Sequence, residues 1–232
     1  LTALGLPLLQ GYGQTETAPV VSANPPEKVK LDTVGKLFHG VQVKIADDGE
    51  ILVSGENVMN GYWNDPEATS KTIVNGWVHT GDIGEFDNED YLKITDRKKD
   101  IIVNAGGDNI SPSRIEAKLD IEPEISQSML YGDFKNYLVA VIVPEKDFSM
   151  NWAKENSKNE DLKSIIEDDD FNKVIKDVVS RVNKNLSVIE QVRKFILIDH
   201  EFTIENSMMT PSMKVRRFAV KDKYSQDLEK LY

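Results

Sequence analysis

The sequence KITDRKKDIIVNAGGDNISPSRIE, residues 93–116, decides the fold of this 232-residue chain. It joins a basic cluster, a short apolar strand at Ile101 to Val103, a double-glycine turn and the start of a helix. Ser111 suits the N-cap of that helix and Pro112 its first helical position. Because glycine has no side chain, a strand that ends in such a turn can pass close to a ligand. The stretch therefore predicts a strand–turn–helix unit whose turn faces a ligand.

The residues before this stretch have the pattern of a β-rich region. Apolar and polar residues alternate in 41–45, the sequence Asp47-Asp48-Gly49 supplies a turn, and residues 51–53 form the partner strand. A second hairpin is expected around residues 87–90, and a short helix at 66–73 lies between the two hairpins. Residues 1–96 are therefore expected to form one β-rich domain.

The residues after this stretch alternate between strands and helices, which predicts a second domain at 97–232. Strands are expected at 126–131, 138–143 and 195–198. An amphipathic helix lies between the last two, and the acidic residues 168–170 precede it, where the helix dipole favours negative charge. Its apolar stripe indicates core packing rather than a cofactor site, and it consists of Phe171, Val174, Ile175, Val178, Val179, Val182 and Leu186.

The composition excludes several classes of protein. A net charge of −11 argues against a nucleic-acid surface, for which a basic face supplies most of the affinity. The chain has no cysteine and only three scattered histidines, which excludes disulfides and makes a histidine metal cluster an unfavourable interpretation. No apolar run approaches the roughly 20 residues that cross a bilayer. We expect a soluble protein in a reducing compartment, the cytoplasm.

The segment GYGQTE, Gly11 to Glu16, starts like a dinucleotide fingerprint but lacks the third glycine that such a fingerprint requires. Two glycines around Tyr12 allow a tight turn that exposes an aromatic face. Thr15 and Glu16 add a hydroxyl and a carboxylate within reach of one ligand. Taken alone, the segment favours an ordinary surface turn.

The segment HTGD, residues 79–82, places Asp82 after a glycine at the end of an expected strand. A short acidic side chain there can accept hydrogen bonds from both hydroxyls of a ribose, although a structural aspartate in a turn has the same pattern. Arg97, in the basic cluster, is suited either to a ligand or to a solvated surface.

These motifs, together with MTPSMKVRRF at residues 209–218, resemble the carboxyl-terminal part of adenylate-forming enzymes, the family of acyl-CoA synthetases and luciferases. The motifs keep the family's order and spacing over nearly the whole chain. Members of the family convert a carboxylic acid and ATP into an acyl-adenylate and then transfer the acyl group to a thiol. The resemblance therefore implies ATP or AMP, Mg²⁺ and coenzyme A as ligands.

The resemblance assigns the nucleotide to residues of the first domain. It implies that Tyr12 stacks on adenine, that Thr15 binds phosphate and that Glu16 helps to hold magnesium. Asp82 and Arg97 are expected to bind the ribose. Gly11, Gly13 and Gln14 complete the expected nucleotide-binding residues.

The resemblance assigns the moving and catalytic parts to the second domain and its boundary. Lys99 matches the hinge about which the small domain rotates between the two half-reactions. Gly106 and Gly107 match the turn beside the pantetheine arm of coenzyme A. Lys214 matches the lysine that bridges carboxylate and phosphate oxygens during adenylation, and with Thr15 and Glu16 it is an expected catalytic residue.

The expected fold class is α+β. A β-rich, barrel-like subdomain, the end of a large amino-terminal domain, precedes a small α/β carboxyl-terminal domain with a mixed sheet flanked by helices. The chain opens inside a pattern without an initiating methionine, and the family's phosphate loop, of the form SGTTGxPKG, is absent. We therefore expect a fragment that is inactive alone and comes from a protein about a few hundred residues longer.

The expected function is a long-chain fatty acid CoA ligase, because the motifs ITDRKKD and TPSMKVRR are similar to those of bacterial long-chain synthetases. Fatty acid, ATP and CoA are the expected partners. Peripheral association with a membrane and the oligomeric state are left open. The sequence leaves two alternatives to this function open. One is an adenylation enzyme that loads an amino acid or acyl group onto a carrier protein, and the other is a non-catalytic nucleotide-binding relic.

Overall fold

The computed structural model describes residues 4–6 and 8–232, and the chain divides into two compact units, Leu1–Lys99 and Asp100–Tyr232. The regular secondary structure of the first unit is mainly β-strand, and the second unit combines a mixed sheet with helices. This arrangement confirms the predicted α+β fold class. Among the described residues, no helix has both the length and the apolar character needed to span a membrane.

The first unit contains two antiparallel sheets that share one apolar core. In the smaller sheet the order is β1-β2-β3, and in the larger sheet β5 separates β4 from β7, which also pairs with β6 and β8. The core comprises Val21, Ile51, Val53, Val78 and Leu92. The strands are β1 (Gly11–Tyr12), β2 (Ser22–Ala23), β3 (Lys36–Leu37), β4 (Val41–Ile45), β5 (Glu50–Gly55), β6 (Ile73–Val74), β7 (Trp77–Phe86) and β8 (Leu92–Arg97), with helix α1 at Pro66–Thr72.

Local sequence explains these strands and their connections. The alternating pattern of β4 pairs with β5 from Ile45 opposite Ile51 to Val41 opposite Gly55, as the sequence predicted. Asp65 is the N-cap of helix α1, and its carboxylate accepts a hydrogen bond from the amide of Ala68. This is the usual role of an N-cap aspartate.

The second unit opens with a small hairpin and continues into a three-stranded sheet covered by helices. In the sheet, β12 lies between β11, to which it is antiparallel, and β13, to which it is parallel. The elements are β9 (Ile102–Val103), β10 (Asn109–Ile110), α2 (Pro112–Leu119), β11 (Ile125–Tyr131), β12 (Leu138–Pro144), α3 (Lys146–Glu155), α4 (Leu162–Ile166), α5 (Asp169–Asn183), β13 (Val192–Leu197) and α6 (Arg217–Glu229).

Strand β12 explains why both faces of this sheet are covered. All seven of its residues are buried. Leu138, Ala140 and Ile142 join the core formed with α2, α3 and α5, whereas Val139 and Val141 join the core formed with α6. A strand with an unbroken apolar sequence requires helices on both faces, and the alternation of its side chains divides them between the two cores.

Candidate functional site

The buried carboxylate of Asp82 is the centre of the polar cluster in the first unit. Only 4% of Asp82 is exposed. The residue lies on β7 directly opposite Arg97 of β8, and the Nε of Arg97 is 2.7 Å from Oδ1 of Asp82. From the sequence, both residues are expected to bind the same ribose. The strand register also brings their side chains into direct contact.

The segment that contains β1 supplies two further donors to Asp82. The Tyr12 hydroxyl donates to Oδ2 at 2.7 Å, and Nε2 of Gln14 donates to the same oxygen at 2.6 Å. Gln14 also donates to the Thr80 carbonyl at 3.0 Å. Burial and the neighbouring Asp82 carboxylate raise the pKa of Tyr12 well above its ordinary value, so the phenol remains a donor at neutral pH.

Gly13 allows Tyr12 and Gln14 to reach Asp82 from one short segment. A Cβ atom added at Gly13 would lie 1.5 Å from the carbonyl oxygen of Pro19. No side chain fits such a contact with backbone, so only glycine lets the chain fold against residues 19 and 20. Gly11 is also close to backbone, since its added Cβ would be 3.0 Å from the oxygen of Ser22.

Thr15 and Glu16 lie on the short 3₁₀ helix Thr15–Thr17 that follows Gln14. Thr15 is exposed, whereas Glu16 is half-buried and accepts a hydrogen bond of 2.7 Å from the Tyr62 hydroxyl. Within residues 4–6 and 8–232, no group of three or more His, Cys, Asp or Glu side chains could hold a metal ion. Glu16 is therefore a single-carboxylate candidate, which suits a magnesium ion whose other ligands are phosphate oxygens and water.

Glu50 supports the part of β7 that carries Asp82. Its carboxylate accepts hydrogen bonds from the Gly81 amide at 2.9 Å and from the Lys98 ammonium at 2.9 Å, and Nδ1 of His79 lies 3.1 Å away. Burial of the Glu50 carboxyl opposes its ionisation, but the bonds from Lys98, His79 and Gly81 outweigh burial and hold its pKa below the ordinary value. Glu50 is thus charged at neutral pH and fixes the backbone next to Asp82.

Glu50→Gln is expected to lower the free energy of unfolding of this unit by about 1 to 2 kcal/mol at neutral pH, because a charged hydrogen-bond acceptor is lost beside the partly exposed Lys98. Since the folded-state pKa lies below the ordinary 4.5, the contribution of Glu50 is present above that pH and is lost as the pH falls through the folded-state value. Urea unfolding of both proteins between pH 3 and pH 7 measures this difference in the free energy of unfolding. Glu85→Gln, on an exposed position of β7, is the matched control. A difference from the unsubstituted chain that persists unchanged at pH 3 would contradict the assignment.

The predicted hinge and glycine turn lie at the start of the second unit. Lys99 is exposed in the 3₁₀ turn Lys98–Asp100, the last residue before the division between the units. Gly107 has φ of +86°, and a Cβ added there would meet no atom of the described residues within 4 Å. Asn104 closes the turn, because its side-chain oxygen accepts from the Asp108 amide at 2.9 Å. A Cβ added at Gly106 would lie 3.2 Å from the side-chain oxygen of Asn104 and 3.3 Å from Oδ2 of Asp108, so the open space is beside Gly107.

Lys214 lies on a short loop that returns to the core of the second unit. Its backbone carbonyl accepts from the Thr210 amide at 2.8 Å, and its own amide donates to the Thr210 hydroxyl at 3.1 Å. The side chain is exposed. The loop therefore holds the backbone of Lys214 while its ammonium group extends away from the core.

Two family models match the chain. One, described as AMP-binding enzyme, matches residues 1–63, and the other, described as AMP-binding enzyme C-terminal domain, matches residues 99–232. The second match alone covers more than half of the chain. The chain belongs to the AMP-binding enzymes. The resemblance to adenylate-forming enzymes predicted from the motifs is confirmed.

Curated relatives of this AMP-binding enzyme chain include fatty-acid ligases. The long-chain-fatty-acid–CoA ligase FadD15 of Mycobacterium bovis is 38% identical over 230 residues, which are 98% of this chain and 38% of the relative. The long-chain-fatty-acid–CoA ligase 1 of Cavia porcellus is 31% identical over 245 residues, 99% of this chain and 35% of the relative. The chain thus spans little more than a third of the length of these relatives.

Solved structures of adenylate-forming proteins have the same fold. The adenylation domain of a carboxylate reductase from Mycobacterium chelonae has a TM-score of 0.77 at 25% identity, and the match covers 99% of this chain and 35% of that one. The O-succinylbenzoate coenzyme A synthetase of Bacillus subtilis, in complex with AMP, has a TM-score of 0.68 at 28% identity, with 95% and 42% covered.

Sequence reasoning missed several residues of the candidate site. Glu50, Tyr62 and Thr80 contact the predicted residues but were not singled out. Glu50 had a local signal, since a carboxylate at the first position of an apolar strand needs a partner when the strand is buried. Tyr62 had no comparable signal, because its contact with Glu16 joins residues far apart in the chain.

Proposed function

We propose that this chain is the carboxyl-terminal part of a fatty acyl-CoA ligase. The reaction converts a fatty acid, ATP and CoA into acyl-CoA, AMP and diphosphate through an acyl-adenylate. The convergence of Tyr12, Gln14 and Arg97 on the buried carboxylate of Asp82 is the observation that carries the proposal. The names of the relatives, long-chain-fatty-acid–CoA ligases, support the substrate class.

The proposal assigns the ribose of the nucleotide to Asp82. A carboxylate offers about four lone-pair positions, of which Tyr12, Gln14 and Arg97 use three in the described structure. A ribose hydroxyl can donate to the remaining position or replace one of these donors. Hydrogen bonds between a ribose hydroxyl and the Asp82 carboxylate would be charge-assisted. Tyr12, fixed through its hydroxyl, presents its ring for stacking on adenine.

The proposal assigns the phosphates to the segment after Gln14. Magnesium, when bound, offsets the negative charge that ATP brings to a reaction with a carboxylate. Glu16 would hold the ion through the oxygen atoms of its half-buried carboxylate, and Tyr62 orients that group by donating to Oε1. The exposed hydroxyl of Thr15 would donate to a phosphate oxygen.

The second unit, on this proposal, is the mobile carboxyl-terminal domain. Lys99 serves as the pivot between the half-reactions, and the turn of Gly106 and Gly107, with its open space at Gly107, accepts the pantetheine arm of CoA. Lys214 supplies the ammonium group for adenylation. We further place the protein in the cytoplasm, with peripheral contact to a membrane as a source of its acid.

An enzyme that loads a carrier protein is the alternative, since the carboxylate reductase domain shares the fold at 25% identity. The higher identity to CoA ligases, 38% over nearly the whole chain, favours CoA as the acyl acceptor. A non-catalytic relic is disfavoured because each expected chemical group is present at its position.

Fatty-acid-dependent exchange of diphosphate into ATP tests the proposal with the full-length protein that contains this chain. Palmitate is expected to support exchange, and added CoA to yield palmitoyl-CoA. The same assay with a mixture of the twenty amino acids is the comparison. Exchange that depends on an amino acid, without acylation of CoA, would reject the ligase in favour of carrier loading, and no exchange with any acid would reject both enzymes.

A further inference from the structure

The loop that carries Lys214 is fixed at its base in the second unit. Met209 and Val215 form an isolated antiparallel bridge, and the Arg216 amide donates to the Met208 carbonyl at 2.7 Å. Met208 is buried in the core beside α6. The position of the Lys214 backbone therefore depends on how residues 208–217 join that core.

Arg217, three residues after Lys214, ties the end of this loop to another helix. Its guanidinium binds both oxygens of Glu116 on α2, with Nη1 2.5 Å from Oε1 and Nη2 beside Oε2. Glu116 is buried, and its Oε1 also accepts from the Leu130 amide of β11 at 2.7 Å. One carboxylate thus joins α2, β11 and the first residue of α6.

This pair has a geometric role that apolar packing would not provide. Burying two charges costs solvation, and apolar residues of similar volume often stabilise a protein equally well. A two-pronged guanidinium–carboxylate contact does fix direction as well as distance. Among the described residues, the pair connects the start of α6 with α2, the helix that follows the hairpin of Gly106 and Gly107.

We propose that Glu116 and Arg217 are positioning residues for Lys214 in adenylate formation. The inference rests on the proposed function, because it presumes that Lys214 acts in the first half-reaction. Through its two-pronged contact with Glu116, Arg217 sets where α6 begins, and the two residues between Lys214 and Arg217 transmit that placement to the ammonium group. Neither residue needs to contact substrate.

Glu116→Gln in the full-length protein is the first test. The glutamine side-chain oxygen can still accept a hydrogen bond from the Leu130 amide, but the two-bond ion pair with Arg217 is lost. We expect kcat of palmitate-dependent diphosphate exchange to fall about 10- to 100-fold, as for a catalytic group displaced by about 1 Å. The KM for ATP is expected to stay the same, and thioester formation from supplied palmitoyl-adenylate is expected to be retained.

Arg217→Lys is the second test, since lysine keeps the positive charge but cannot bind both carboxylate oxygens of Glu116 as a guanidinium does. This variant also provides the test if Glu116→Gln does not fold. The same loss confined to exchange is expected. Lys173→Ala, which removes an exposed ion pair of α5 with Asp170, is the control and should leave both half-reactions unchanged. Thermal unfolding of each variant verifies the fold.

The outcomes separate this inference from the proposed function. Equal losses in both half-reactions, or exchange at the unsubstituted rate in a folded variant, would overturn the positioning role while leaving the ligase intact. An unsubstituted protein without exchange would instead reject the proposed function, and the inference with it.

Discussion

Replacing Lys214 by alanine in the full-length protein is expected to lower the rate of acyl-adenylate formation strongly and to spare thioester formation from supplied adenylate. The exposed ammonium group on the Thr210–Lys214 loop is a compact charge that can contact carboxylate and phosphate oxygens together. Loss of one such stabilising group costs roughly 100- to 1,000-fold in rate. Diphosphate exchange and single-turnover thioester formation measure the two halves separately.

Lys230→Ala is the matched control for this substitution. Lys230 is an exposed lysine at the end of α6 in the same unit, and its ammonium is 2.8 Å from the Asp227 carboxylate. Its removal is expected to change neither half-reaction, so that a general loss of positive charge cannot explain the result. Equal loss of both half-reactions in Lys214→Ala would contradict the assignment of Lys214 to adenylation.

Asp82→Asn is expected to weaken binding of AMP about 10- to 100-fold, because hydrogen bonds to a charged group contribute roughly 1.5 to 3 kcal/mol. The asparagine amide also turns a donor toward Tyr12, Gln14 or Arg97, all of which donate to Asp82. Calorimetric titration of the full-length protein with AMP measures the change.

Asp90→Asn controls for the loss of one negative charge in the same sheet. Asp90 is exposed in the turn between β7 and β8 with φ of +63°, a conformation that asparagine also adopts. Its affinity for AMP is expected to equal that of the unsubstituted protein. If Asp82→Asn binds AMP as tightly as Asp90→Asn does, the ribose does not bind at Asp82.

Much of the fold could be predicted because its signals are local. The apolar period of α5 identified a buried face, and Phe171, Ile175 and Val178 lie in the core. The short helix α4, which contains the buried residue Ile165, was not predicted. One apolar anchor in a short helix is too weak a periodic signal to predict.

The site was less predictable because most of its contacts join distant residues. The TGD motif singled out Asp82, but nothing near it in sequence indicates that Tyr12, 70 residues away, donates to its carboxylate. A second case is the contact between Glu116 and Arg217, which are 101 residues apart. In the sequence, neither differs from an ordinary charged residue of a helix. Sequence motifs identified which residues carry chemistry, and strand register and helix packing decide which of them meet.

A crystal structure of the full-length protein with AMP tests the central claim most directly. The account predicts both ribose hydroxyls within hydrogen-bonding distance of the Asp82 carboxylate or the Arg97 guanidinium, and adenine against the ring of Tyr12. AMP bound elsewhere, with Tyr12, Asp82 and Arg97 all free of contact with it, would contradict the account.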